Sequence, residues 1–272
     1  MSARRGFAMI RIVPIMALLA LASVIAADAQ QRRGGRGADR CVSPEECPRT
    51  PYDGRFTFVR VYFPAGGGAG LAGFGGFGGE PPWHHDRPDA ERNLSSIIRE
   101  ITFLRTFDGW HGGNVFALDD PEIFRYPLLW LAEPGYWQPT TSEAEALRTY
   151  LLKGGFIIFD DFRGPHWHNF EAQMRRVLPE LTPIRLMGDE PIFRSFFEID
   201  MHALRVAAYS DTPEYWGFFE DNDPTKRQLA VVNYNNDIGE FMEYSDTGFA
   251  PVDIANEAYK LGVNYVVYAH TH

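Results

Sequence analysis

The chain is poor in the residues from which hydrolytic nucleophiles are usually built. It has two cysteines, Cys41 and Cys47, and both lie close to the N-terminus. No serine is flanked as Gly-x-Ser-x-Gly, the pattern that presents a serine on a sharp turn between a strand and a helix. A serine nucleophile of that kind is therefore excluded.

The chain also lacks an excess of positive charge. It carries 26 Lys and Arg against 36 Asp and Glu, a formal net charge of -10, and it contains no recognisable nucleic-acid-binding motif. Because neutralising a phosphate backbone needs a basic surface, we do not expect nucleic acid as a partner. The chain does have 45% hydrophobic and 14% aromatic residues, which is enough for a folded core and predicts one main domain.

Long apolar runs are absent except at the N-terminus. Three arginines accompany the run Ile12–Ala26, and Ala27-Asp28-Ala29 follows as a small-residue cleavage site, which is the pattern of a secretory signal peptide. The run is shorter than the roughly 20 residues of a membrane-spanning helix, which favours cleavage after Ala29 over an uncleaved anchor. We therefore expect residues 1–29 to be removed, the protein to be periplasmic or secreted, and no transmembrane span to remain.

Residues 30–54 are rich in arginine, glycine and proline without apolar periodicity, which predicts a flexible arm. An oxidising, exported location favours a disulfide bond between Cys41 and Cys47 in this arm. The alternative is two free or intermolecularly paired thiols. Zinc is disfavoured because a tetrahedral site needs two further ligands and no histidine lies nearby.

Strand-like and helix-like segments alternate over residues 55–272. Strands are predicted in "RFTFVRVYF", "NVFAL", "YPLLWLAEP", "GFIIFDD" and "QLAVVNY", and helices in "AERNLSSIIREITFLRTF", "TTSEAEALRTYLLKGG" and the C-terminal segment. Ser142 and Glu145 fit a capping box at the start of the second helix. The alternation predicts an α/β domain with a mostly parallel sheet that helices cover on both faces.

A glycine-rich loop separates the first strand from the first helix, from Pro64 to Glu80. It matches neither the phosphate-binding loop nor the dinucleotide fingerprint, because no Gly-Lys-Ser/Thr ends it and no helix directly follows its glycines. A mobile lid and a plain linker both remain open.

Polar side chains follow several predicted strands at their carboxyl ends. Asp160 and Asp161 end the most apolar strand, and in parallel sheets ligands bind beyond such strand ends. We expect these side chains to meet in one ligand-binding site. The residues that we select for it are Trp83, His85, Asp86, Asp160, Asp161, His166 and Asn235.

A divalent metal is one ligand that this edge could take. His166 and His168 would point the same way in an extended segment and could join Asp161 around an ion. A structural role is the alternative: Asp161 would cap the following turn, and Asp160 would pair with an arginine such as Arg163.

Five segments carry a family resemblance: "PDAERNL", "DPEIFRYPLLWLAEPG", "SEAEALRTYLLKGGFIIFDD", "EPIFRSFFEID" and "YNNDIGE". From about Arg55 to its C-terminus, the chain resembles the bacterial domain-of-unknown-function family 4159. The resemblance implies a flavodoxin-like three-layer sandwich similar to the class I glutamine amidotransferases, and no established reaction. Those enzymes place a cysteine on the turn where this chain has Asp160 and Asp161, so glutamine amidotransferase activity is not expected.

Two functions are consistent with these residues. One is a non-catalytic envelope module that binds a carbohydrate, peptide or partner protein, with Trp83 stacking on the ligand while acids and amides form hydrogen bonds. The other is a metal-assisted hydrolase that uses Asp160, Asp161 and nearby histidines. The missing nucleophile favours the binding module, for which no cofactor is required.

Overall fold

The computed structural model of the protein describes residues 41–64, 81–204 and 206–272. The predicted signal peptide, residues 30–40 of the predicted arm and most of the glycine-rich loop lie outside the described residues. None of the helices in the described ranges is long and apolar enough to cross a membrane.

A seven-stranded, mostly parallel sheet forms the centre of the domain. Its strands in chain order are β1 (Phe58–Val61), β2 (Gly113–Phe116), β3 (Leu128–Ala132), β4 (Phe156–Phe162), β5 (Ile184–Arg185), β6 (Glu214–Phe219) and β7 (Gln228–Tyr234). The order across the sheet is β2-β1-β3-β4-β7-β6-β5. The strands from β2 to β7 in this order are parallel, whereas β6 runs antiparallel to both of its neighbours.

Five α-helices accompany the sheet in the described ranges, together with short 3-10 turns. The helices are α1 (Asp89–Ile101), α2 (Thr141–Leu152), α3 (His166–Val177), α4 (Ile238–Glu243) and α5 (Val252–Thr271). The 3-10 turns are Pro82–His84, Pro121–Arg125, Pro191–Arg194 and Glu220–Asn222. The strands and helices predicted from the sequence are confirmed in type and order.

Strand β4 contributes side chains to both hydrophobic cores of the domain. Neighbouring side chains of a strand point to opposite faces of the sheet. Ile157 and Phe159 accordingly pack in the core that α2 and α3 cover, while Phe156 and Ile158 pack in the core that α1, α4 and α5 cover. The sheet therefore has helices on both faces, and the carboxyl end of β4 lies between the two helical layers.

The start of α2 differs from its prediction by two residues. Its capping box consists of Thr140, whose side chain accepts from the backbone N–H of Glu143, and Glu143, whose carboxylate accepts from the backbone N–H of Thr140. Ser142 instead lies within the helix. The sequence leaves the cap ambiguous, because Thr140 and Ser142 each have a glutamate three residues later.

The predicted disulfide bond between Cys41 and Cys47 is present, with Cα atoms 4.7 Å apart. Both cysteines are buried in the core beside α2 and α3. Downstream of the bond, the backbone N–H of Thr50 donates to Asn114 Oδ1 at 2.7 Å, and Asn114 Nδ2 donates to the carbonyl of Thr50 at 2.9 Å. The part of the arm that the structure describes is thus packed on the domain.

Candidate functional site

Four side chains converge at the carboxyl edge of the sheet. His85 and Asp86 precede α1, Asp161 lies at the end of β4, and Asp237 follows β7. One potential ligand atom from each of the four lies within 4.8 Å of those of the other three. The chain thus brings one imidazole and three carboxylates from three separate segments to a single point.

The adjacent residues Asp160 and Asp161 have different surroundings. Asp160 accepts hydrogen bonds from Asn233 Nδ2 at 2.9 Å, from the backbone N–H of Ile238 at 3.3 Å and from that of Gly239 at 3.0 Å. These bonds anchor the start of α4 to the end of β4. Asp160 therefore has a positioning role, and its partners are an amide and backbone groups, where the sequence suggested Arg163.

Asp161 faces the cluster instead. Its φ of 61° and the register shift between β4 and β7 after Phe159 turn its side chain out of the regular alternation of the strand. The carboxylate is fully buried; His85 Nδ1 lies 2.5 Å from its Oδ2, and the hydroxyl of Tyr209 donates to its Oδ1. The backbone irregularity is what delivers this carboxylate to the site.

Strained backbone is concentrated at the same edge. Asp86, Glu133, Asp161 and Asn235 have φ between 53° and 66°, in the left-handed region that most residues avoid. Asp and Asn tolerate this region better than other residues, but Glu133 does not share that advantage. Such conformations cost about 1–3 kcal/mol each and cluster at functional sites, so their presence at three strand ends and in the turn before α1 marks this edge as a candidate site.

Asp86 is the least satisfied member of the cluster. It is 4% exposed, and neither of its carboxylate oxygens has a hydrogen-bond partner within the described ranges. A Cβ atom at position 239 would overlap Asp86 Oδ2, so the glycine there allows the carboxylate to approach α4 closely. A buried carboxylate without partners is costly and is normally paired, protonated or bound to a metal.

The electrostatics of the edge reflect crowded acids. Burial raises the pKa of Asp86, Glu133 and Asp237 well above the usual carboxyl range, and the charge of Asp161 adds to the rise in each case. Burial also raises the pKa of Asp160 to about 7, against the hydrogen bond from Asn233. The protein alone therefore holds protons at this edge near neutral pH.

His85 and Asp161 form the charged pair of the cluster. Burial disfavours the charged form of His85, but the hydrogen bond to Asp161 and the surrounding carboxylates raise its pKa to about 10. For Asp161, burial is likewise opposed by the hydrogen bond and the charge of His85, which lower its pKa below the usual value. A proton thus lies between a nitrogen and an oxygen that both have the chemistry of metal ligands.

The other residues selected from the sequence lie outside this cluster. Trp83 is 1% exposed and packs against the rings of Tyr62 and His84, so it belongs to the core and offers no surface for a ligand. Asn235 accepts a hydrogen bond from the backbone N–H of Gly164 at 3.1 Å, which ties the two strand ends together.

The interpretation of His166 and His168 as an extended pair is wrong. Both lie in the first turn of α3, where residues two apart point in widely different directions. His166 Nδ1 is 3.9 Å from Glu133 Oε2, at the border of the site, and His168 is exposed. The proline at 165 signals a helix start, and it is the feature that would have corrected the prediction.

Two site residues were not selected from the sequence. Asp237 stands within the quoted segment "YNNDIGE" and is the N-cap of α4, where its Oδ1 accepts from the backbone N–H of Glu240 at 2.9 Å. Tyr209 comes from a segment without helix or strand, so no periodicity could have indicated it. The backbone N–H of the neighbouring Ala208 donates to Asn236 Oδ1 at 3.2 Å, and this bond helps to hold Tyr209 at the site.

The fold and the site define an α/β protein with a crowded acidic centre at the carboxyl edge of a mostly parallel sheet. The family described as "Domain of unknown function (DUF4159)" matches residues 76–270, and the chain belongs to that family. The resemblance noted from the sequence is confirmed at this level. No curated protein matches the chain.

Proposed function

We propose that the carboxyl edge binds a divalent metal ion through His85, Asp86, Asp161 and Asp237, and that the protein is a metal-assisted hydrolase. The observation that carries this proposal is the buried Asp86 carboxylate, which has no hydrogen-bond partner in the described part of the chain and lies beside three further ligand groups. A cation at this point satisfies that carboxylate and offsets the repulsion among the acids.

The residues around the proposed ion fit a catalytic role for it better than a purely structural role. A divalent ion lowers the pKa of a bound water and would so supply a nucleophile to a chain whose two cysteines form a disulfide bond and whose serines lack the Gly-x-Ser-x-Gly pattern. Glu133 has a raised pKa and lies beside His166, whose side chain is about one-third exposed, so a candidate proton donor lies next to a histidine that solvent can reach. The strained strand ends agree with a site held in a working geometry.

The binding module favoured by the sequence loses its proposed stacking surface. Its stacking platform depended on Trp83, which is buried. Trp167 is partly buried against Phe162, Phe170, Trp216 and Tyr234. Carbohydrate or peptide binding by stacked aromatic rings is therefore the weaker proposal, and metal chemistry takes its place.

The metal-binding proposal is tested with chelator-treated protein. Calorimetric titration with Mn²⁺ and Zn²⁺ should show saturable binding to the unaltered protein. Asp161→Asn should weaken it at least about 100-fold, because removing even a supporting residue of a metal ligand costs roughly 10–100-fold. The matched control is Asp189→Asn, which alters an exposed aspartate and should bind as the unaltered protein does.

Hydrolysis is assayed on the same preparations with chromogenic carboxylic and phosphoric esters. Activity should require the added ion and should disappear in Asp161→Asn but not in Asp189→Asn. Absence of ion binding in the unaltered protein, or equal binding by both variants, would rule out the metal site. Binding without turnover of either ester class would remove the hydrolase and leave the metal site standing.

We also propose that the protein is exported, processed after Ala29 and closed by the disulfide bond when it reaches its destination. Support comes from the N-terminal apolar run and from the bond between Cys41 and Cys47. Intact mass spectrometry of exported protein should give a chain that begins at Gln30 and resists alkylation until it is reduced. A chain that keeps its first 29 residues would refute processing.

For the fold, we propose the flavodoxin-like class that the amidotransferase resemblance implies. The first five strands across the sheet follow the order β2-β1-β3-β4-β7, which corresponds to the doubly wound order 2-1-3-4-5. In that arrangement the chain changes winding direction between β1 and β3. The cluster at the carboxyl edge lies where such sheets bind their ligands.

A further inference from the structure

Three acidic residues recur at every third position around α4. Asp237 caps the helix, and Glu240 and Glu243 follow within it. Residues three apart lie on neighbouring positions of a helix surface, so their carboxylates can face one partner. Both glutamates are partly buried, which is uncommon for glutamate without a partner.

Glu240 and Glu243 form a second ligand group with Asp86. One carboxylate oxygen from each of the three lies within 4.8 Å of those of the other two. Asp86 is therefore common to this group and to the group that contains His85, Asp161 and Asp237.

The position of Asp86 between the groups is the independent indication of a ligand. Its side chain is more than nine-tenths buried, and both of its oxygens lack a hydrogen-bond partner in the described ranges. An ion held through a single oxygen would leave the other oxygen unsatisfied. Two ions, one on each side, would use both, and a shared carboxylate of this kind is compatible with the roughly 3.5–4 Å spacing of two-metal sites.

The buried guanidinium of Arg60 is already paired with another acid. Arg60 is bound to Glu91, with its Nε at 2.9 Å and its Nη2 at 2.7 Å from Glu91 Oε1. Asp86, Glu240 and Glu243 thus bring three acidic side chains together at the start of α1 and on α4.

We propose that a second divalent ion binds between Asp86, Glu240 and Glu243, and that Asp86 bridges the two ions of a dinuclear centre. This inference rests on the proposed function for the first ion. The second site offers oxygen ligands alone, which suit Mg²⁺, Mn²⁺ and Ca²⁺, whereas the histidine of the first site also suits Zn²⁺. The two positions should therefore differ in metal preference.

The test uses the full mature chain and Mn²⁺ as the probe, with binding counted by calorimetry and by elemental analysis after desalting. The unaltered protein should bind two ions, and its electron paramagnetic resonance spectrum should show coupling between them. The Glu240→Gln/Glu243→Gln double variant should bind one ion and give an uncoupled spectrum. The matched control is Glu145→Gln, which changes an exposed glutamate of α2 and should keep two coupled ions.

The outcomes separate this inference from the proposed function. One ion in the unaltered protein that Asp161→Asn removes and the double variant keeps would overturn the second site while leaving the first. One ion that both sets of changes remove would mean a single ion shared by all the ligands, and it would also overturn the dinuclear centre. No bound ion would overturn both proposals. If the double variant fails to fold by circular dichroism, Glu243→Gln alone should still weaken the second binding step at least about tenfold, and equal affinity would count against the site.

Discussion

Changing Asp86 to Asn is expected to stabilise the metal-free protein and to abolish its metal binding. The amide has nearly the same size and tolerates the φ of 66° at this position, but it removes a buried charge that has no hydrogen-bond partner among the described residues. Relief of roughly 1–3 kcal/mol corresponds to a rise of about 2–12 °C in melting temperature for a domain of this size. The measurement is thermal unfolding at pH 8 in the presence of a chelator, followed by Mn²⁺ titration.

The same change at Asp160 is the matched comparison and should have the opposite effect on stability. Both aspartates are buried at the same edge, but Asp160 accepts hydrogen bonds from Asn233 and from two backbone N–H groups of α4. In Asp160→Asn the amide nitrogen would face these hydrogen-bond donors, which would lower the free energy of unfolding by about 1–3 kcal/mol. If Asp86→Asn lowered the melting temperature as Asp160→Asn does, Asp86 would be a structural residue and the metal-site proposal would lose its main support.

The metal-free protein is also expected to become less stable as the pH rises from about 5 to 8, and divalent metal should reverse the loss. The pKa of Asp160 is raised from 3.8 to about 7, and burial also raises those of Asp86, Glu133 and Asp237 well above their usual values. A carboxyl with a raised folded-state pKa contributes stability that is complete below its unfolded pKa. That contribution is lost as the pH rises through the folded pKa.

The charged pair does not cancel this trend. The pKa of His85 is raised from 6.5 to about 10, so its contribution is complete below 6.5 and also declines toward higher pH. The pKa of Asp161 is lowered from 3.8, so its contribution is lost only at pH values below that range. Within the window from pH 5 to 8, the raised pKa values of the four carboxyls and of His85 therefore all act in the same direction, and only the lowered pKa of His166 at the border of the site acts against them.

The size of the pH effect can be checked by scanning calorimetry with chelator and with Mn²⁺. One unit of pKa displacement corresponds to about 1.4 kcal/mol, and each kcal/mol to roughly 2–4 °C, so the melting temperature should fall by more than about 5 °C. Metal at a hundred times its dissociation constant should restore about 2.7 kcal/mol. Asp86→Asn should show a shallower pH profile. A flat profile in the unaltered protein would contradict the assigned burial of these acids.

The parts of the fold that rest on local patterns were predictable from the sequence. The run from Phe156 to Phe159 indicates a strand buried on both faces, because no position in it is polar, and that single fact implies helices on both sides of the sheet. The same reasoning placed Asp160 and Asp161 at a strand end. It could not distinguish them, because the distinction depends on the backbone irregularity after Phe159 and on which groups α4 presents.

The site was harder to predict because burial and convergence are tertiary properties. Trp83 and His85 are two residues apart in a loop segment, yet one lies in the core and the other at the ligand cluster. Glu240 and Glu243 follow Asp237 at a regular spacing that the sequence displays. Their common partner, Asp86, is remote in the chain, so only the fold brings them together.

The position of β1 decides where an expressed fragment of this chain should begin. The family match begins at residue 76, whereas β1 spans Phe58–Val61 and lies in the sheet between β2 and β3. A protein expressed from the matched residues alone would lack an interior strand, and the facing edges of β2 and β3 would lose their common partner. Unpaired edges of this kind favour aggregation, so the folding unit of this chain starts upstream of the segment that matches the family.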